Sequence, residues 1–123
     1  MSYQKLANLV RSLRRQTNKG EIDWEETAVK GTFQATFGSH ALQISSVNPG
    51  GGGEQDIMIV VFDEDGNPIE SMRDPELAQF FGSEVESWKL MNEIYQTARR
   101  QSLGTERAID SILNILNEDE PPF

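Results

Sequence analysis

The apolar residues of this chain change period twice, and that pattern constrains the fold more than any other feature. Over residues 3–18, Leu6, Leu9, Val10 and Leu13 fall at i, i+3, i+4 and i+7, one stripe of an amphipathic helix. Ser2 is placed to cap its start, and Gly20 sits where a left-handed stop is wanted. Arg11, Arg14 and Arg15 fall on the opposite side, where the simplest reading is a solvated face. The period then becomes two. Ile22 and Trp24 alternate with acids, and Phe33, Ala35 and Phe37 point one way while Thr32, Gln34 and Thr36 point the other. Gly38-Ser39 predicts a turn, and Leu42 and Ile44 continue inward after it. Residues 57–62 are the most apolar run and read as a central strand, followed by a turn with Gly66 and a short strand over 69–72.

Helical signals return at Asp74-Pro75-Glu76, a cap followed by proline at the first helical position. Ser83 and Glu86 have capping-box spacing, which predicts a helix from there to about Leu103. Val85, Trp88, Met91, Tyr95 and Ala98 form its expected stripe, widened by Leu90 and Ile94. Gly104 ends it, and Thr105 is placed to cap a last helix over about 106–117. The order predicts one α+β domain over 1–117. It comprises an N-terminal helix, a four- to five-stranded antiparallel sheet and a C-terminal two-helix hairpin packed on one face. Residues 118–123 are expected to be an acidic frayed tail.

A chain of 123 residues suits a single domain. It has no cysteine, which removes disulfides, thiolate metal sites and cysteine nucleophiles together. No run of about 18 apolar residues is present, so no membrane span is expected. No charged start precedes an apolar block, so no secretory signal is expected and the cytoplasm is the expected compartment. Charge is unevenly placed. Residues 1–20 carry five basic residues and no acid, whereas the remainder carries six basic and twenty acidic residues, for a net charge of −9. A field that negative disfavours nucleic acid as a general partner. The basic helix could still meet an acidic surface, including that of a second copy.

Most candidate chemistry has an ordinary explanation. His40 stands beside a predicted turn, with no G-x-S-x-G motif in the chain. The run Gly50 to Gly53 leads into Glu54-Gln55-Asp56 and a strand, which is wrong for a phosphate cradle and right for a flexible link. Asp63, Asp65 and Asn67 imitate the first calcium ligands of a helix–loop–helix site, but Pro68 replaces the required glycine. Carboxylates such as Glu25-Glu26 and Glu118-Asp119-Glu120 are plentiful, and a hydrolase would need some of them buried in a pocket. No catalytic residue, metal site or cofactor is expected.

The most informative cluster is Phe80, Phe81, Trp88, Asn92, Tyr95, Arg99 and Arg100, with Arg107 on the next helix. Aromatic faces with arginine hold a base by stacking, and arginine binds phosphate. Phe81, Trp88, Asn92, Tyr95, Arg99, Arg100 and Arg107 are therefore candidate ligand-binding residues for a nucleotide-type molecule. The competing reading places Trp88 and Tyr95 in the core and pairs Arg99 with Asp110 or Glu106. On the last helix, Ile109, Ile112, Leu113, Ile115 and Leu116 cover more than one narrow face, so they are the expected interface of a homodimer or higher oligomer.

Residues 90–113, from Leu90-Met-Asn-Glu-Ile-Tyr95 through Ala98-Arg99-Arg100 to Asp110-Ser-Ile-Leu113, resemble the C-terminal hairpin of small uncharacterised bacterial and phage proteins. Trp24, the stretch 31–37, Leu42-Gln-Ile44 and Asp63-Glu-Asp-Gly66 resemble the sheet of the same proteins. The layout is also similar to that of the Thoeris anti-defence sponge proteins of phages. That second likeness implies sequestration of a cyclic nucleotide or ADP-ribose-type signal at an oligomer interface without hydrolysis, and it carries over no individual residue. The leading expectation is a non-enzymatic cytoplasmic interaction domain acting as a homo-oligomer. The alternative is a phage-defence-related module that captures such a signal.

Overall fold

The computed structural model describes residues 3–48 and 55–118. Helix α1 spans Tyr3–Asn18 and stops at Gly20, whose φ of 75° is the left-handed conformation that suits glycine. Its predicted Ser2 cap lies outside the described residues. Strands β1 (Glu25–Glu26), β2 (Thr32–Phe37), β3 (His40–Val47), β4 (Asp56–Phe62) and β5 (Pro68–Arg73) form a five-stranded antiparallel meander in chain order. A single 3-10 turn, Asp74–Leu77, leads into the short α2 (Ala78–Phe81), then α3 (Glu84–Ser102) and α4 (Thr105–Leu116). The α+β architecture is the one the sequence predicts. The glycine link expected after Asn48 and the acidic tail expected over 118–123 lie mostly outside the described residues.

The register explains where the core sits. Phe33 pairs with Ile44, Ile44 with Ile59, and Ile59 with Met72, so one row of buried apolar side chains crosses four strands. Residues of the opposite phase, Gln34, Gln43, Met58 and Val60 among them, are half-exposed. Gln43 donates to Gln34 across that side at 2.8 Å. The sheet therefore has one buried and one open face, as a meander with period-two patterning should. Phe37, expected inward, is exposed because it lies two residues past the last buried position of β2, where the hairpin turns.

Helix α3 packs on the buried side with α1 beside it. Its buried line is Ser87, Met91, Ile94 and Ala98, rotated from the predicted stripe, and Val85 is exposed. Ser87 is the reason. Its hydroxyl donates to the Asp74 carbonyl at 2.6 Å, so a polar residue occupies a fully buried position at little cost. Ser83 caps α3 as predicted, accepting from the Glu86 amide at 3.1 Å. The cap expected of Asp74 is not made. Its carboxylate turns inward to accept from the Ile57 amide of β4 at 2.8 Å, and Glu76 reaches back to the Arg73 amide instead. Thr105 makes no capping bond either; left-handed Gly104 is the N-cap of α4.

The predicted hairpin meets the sheet through α3 alone. Helix α4 contacts α3 and no other element among the described residues, and none of its residues is buried. The buried Trp24 indole N–H donates to Thr17 at 3.2 Å, tying the end of α1 to the approach to β1. A Thr17→Val substitution keeps the shape and orphans that donor. It should lower unfolding free energy by about 1–3 kcal/mol in urea denaturation; an unchanged midpoint would show that the indole finds another partner.

Candidate ligand-binding groove

Four residues of the predicted cluster follow one another along α3 at helical spacing. Trp88, Asn92, Tyr95 and Arg99 lie at i, i+4, i+7 and i+11, a stripe directly beside the buried line. This stripe forms one wall of a groove of about 460 Å³, and Ser46, Gln55 and Ile57 from β3 and the start of β4 form the other. The Trp88 indole N–H donates to the Gln55 carbonyl at 3.1 Å, which fixes the ring while leaving it 38% exposed. Tyr95 packs on Phe33 with ring centroids 5.7 Å apart and a 54° tilt. Tyr95 is thus held by the core on one side and lines the groove on the other. Arg99 is exposed at the far end and makes no ion pair among the described residues. The pairing with Asp110 or Glu106 considered for it is not made.

The other three candidates lie elsewhere. Phe81 sits under the Arg11 guanidinium, 4.9 Å from its ring centroid, and Arg11 also donates to the Phe80 carbonyl at 2.6 Å. Arg14 pairs with Glu93 of α3, joined by Asn18. The basic side of α1, expected as a solvated face, therefore ties α1 to α2 and α3. Arg100 takes Glu106 as its ion-pair partner, and Arg107 lies over Gly104, where a Cβ would stand 3.3 Å from its guanidinium. Arg100 and Arg107 thus lock the α3–α4 corner, because a 100° step per residue turns Arg100 away from the stripe that carries Arg99. The sequence did not reveal Ser46, Gln55, Ile57 and Gln96 as lining residues. Gln96 was legible from its place beside the stripe. Gln55 contributes a backbone carbonyl, which no side-chain pattern announces.

The remaining candidates resolve into ordinary structure. His40 is exposed at the hairpin turn, its Nδ1 3.5 Å from Ser39 Oγ. Asp63 accepts from the Asp65 and Asn67 amides at 2.9 Å each, so its carboxylate closes the turn, with Gly66 at a φ of 82°. Among the described residues, no three carboxylate or imidazole groups come together as a metal site.

Acids do gather around a second groove of about 600 Å³ on the other side of Trp88, where Asp56, Asp74 and Glu84 contribute to the lining. Asp56 pairs with Arg73 at 2.9 Å, and Glu84 is exposed. Asp74 is buried, and that burial raises its pKa above the ordinary 3.8; the Asp56 charge adds to the rise, while the Ile57 amide and Arg73 oppose it. The folded state thus binds the Asp74 proton more tightly than the unfolded state. Its contribution to stability falls as pH rises from 3.8 through the raised value.

No family model matches the chain, and no curated protein or solved structure matches it either.

Replacing Asp74 separates its two roles. Asp74→Ala leaves the buried Ile57 amide without an acceptor and should cost about 1–3 kcal/mol. Asp74→Asn retains an acceptor and should cost less. Urea unfolding across a pH series should show the Asn variant losing the fall in stability just above pH 3.8. Parallel pH profiles for the Asn variant and the wild type would contradict the assignment.

Proposed function

We propose that this chain is a cytoplasmic, non-enzymatic interaction module that works as a homo-oligomer through α4. One observation carries the reading. Ile109, Ile112, Leu113, Ile115 and Leu116 are all between 42% and 67% exposed, on a helix whose one partner among the described elements is α3. Within this set, Ile109, Ile112, Leu113 and Leu116 fall at i, i+3, i+4 and i+7, the spacing of a packing face. A 12-residue helix is marginal alone in water, so its apolar face calls for a cover. A second copy is the cover chosen here because it presents the same face, and a two-fold axis lets each helix shelter the other. A binding role accords with the sole histidine, which stands on an exposed turn and lines neither of the two grooves described. No helix among the described residues is long and apolar enough to cross a membrane.

The groove supports a second reading, capture of a nucleotide or ADP-ribose-type signal at a subunit boundary, as in a phage-defence-related sponge. What favours it is the convergence on one surface of Trp88, Asn92, Tyr95 and Arg99, the last without an ion pair among the described residues.

Size-exclusion chromatography with light scattering tests the leading reading. A dimer or larger species is expected at tens of micromolar, and Ile112→Asp should return it to a monomer with the fold intact by circular dichroism. Each copy carries −9, so association should strengthen with added salt as repulsion is screened. A strict monomer at every salt concentration, or an oligomer untouched by Ile112→Asp, overturns it.

A further inference from the structure

We propose that the groove between α3 and the β3–β4 strands is a complete binding site, within one chain, for a small planar aromatic anion. The ligand class is one ring system bearing a single phosphate or carboxylate, up to the size of a mononucleotide. The inference builds on the second reading above and departs from it by requiring no subunit boundary.

Charge singles this groove out. The chain carries −9, so its surface repels anions in general. Three other grooves include carboxylates in their walls: Asp56, Asp74 and Glu84 in the one beyond Trp88, Glu86 and Glu93 in one between α1 and α3, and Glu106 in one at the α3–α4 corner. Among the described residues, the lining of the Trp88–Tyr95–Arg99 groove has none. Arg11, Arg14, Arg73 and Arg100 are each engaged with a carboxylate or a carbonyl, whereas Arg15, Arg99 and Arg107 make no ion pair among the described residues, and of these three only Arg99 lines this groove. A single unneutralised guanidinium suits a single anionic group.

The aromatic component is held ready. Trp88 keeps an open face yet is immobilised by its bond to Gln55, and Tyr95 is braced by Phe33. A flat ring can therefore stack there without the groove having to order itself first. Gln96 donates to Asn92 at 3.4 Å and Gln55 Oε1 accepts from Ser46, which leaves the Asn92 and Gln55 amide N–H groups along the same groove for the heteroatoms at a ring edge. A volume of about 460 Å³ lies within the range of roughly 300–1,000 Å³ of small-molecule sites. One cation and one groove of this size fit one base and one anionic group better than a cyclic dinucleotide, which carries two of each.

The two tryptophans make the test internal. Each gives one indole N–H signal in a ¹⁵N–¹H NMR spectrum. Trp88 lines the groove, whereas Trp24 is buried with its N–H on Thr17. AMP and benzoate are titrated separately, with adenosine as the uncharged comparison. The Trp88 signal should move saturably with at least one anion while Trp24 stays, and adenosine should bind more weakly than AMP. Arg99→Ala should weaken binding by roughly tenfold or more, the fold-change of one lost charge-assisted bond. A response to AMP alone assigns the anion as phosphate, and a response to benzoate alone assigns it as carboxylate. No Trp88 shift at millimolar AMP and benzoate, movement of both tryptophans together, or unchanged binding by Arg99→Ala overturns the proposal. ADP-ribose and a cyclic dinucleotide complete the series. If only these larger molecules move Trp88, the second reading survives and this inference fails; if only the small anions do, the reverse holds.

Discussion

Helix α3 is buried along Ser87, Met91, Ile94 and Ala98, and that line is where the sheet, α1 and the turn after β5 meet. The row Phe33, Ile44, Ile59 and Met72 supplies the opposing surface. Everything functional in this account follows from the angle at which α3 settles on that row. A single degree of rotational freedom decides which neighbouring stripe becomes the groove wall and which residues face solvent. The Ser87–Asp74 hydrogen bond helps set that angle, and Asp74 is itself anchored to β4 through the Ile57 amide. A buried serine and a buried aspartate, satisfied by backbone groups, thereby orient an otherwise apolar contact.

The same rotation explains the groove. With Ser87 inward, Trp88 comes to the rim, where its ring is fixed by Gln55 and its face stays open. Tyr95 stands between the core and the groove, and Arg99 reaches the exposed end. The buried line and the proposed recognition stripe thus lie side by side on one helix, one residue out of phase. Helix α4 is joined to this arrangement by the left-handed Gly104 and the Arg100–Glu106 pair, and so it is carried clear of the sheet.

Period and turn chemistry made most of the fold legible. The meander, the Gly38 and Gly66 turns and the Ser83 cap all rest on local preferences that a sequence displays directly. What escaped was decided by contacts between distant segments. Val85 was assigned to the core stripe because it is apolar, yet Ser87 takes the buried place because the Asp74 carbonyl is there to receive its hydroxyl. Asp74 looked like a helix cap, but an unpaired amide on β4 competes for the same carboxylate. The candidate site was half legible for the same reason. Trp88, Asn92, Tyr95 and Arg99 share a stripe that spacing reveals, while Phe81, Arg100 and Arg107 share only a composition with it and are engaged at two other corners. The number of apolar residues from Ile109 to Leu116 implies that one sheet face leaves some uncovered, but not that α4 misses the sheet altogether and leaves all five exposed.

The central claim is that α4 is a helix whose stability comes from a neighbour outside its own fold. Amide hydrogen exchange measured over a range of protein concentration tests this most directly. Protection of the amides across 109–116 should rise from weak at high dilution to strong at hundreds of micromolar, while protection of the β3–β4 ladder stays constant. Equal protection of α4 at every concentration would contradict the account, because the helix would then be shown to stand without a second copy.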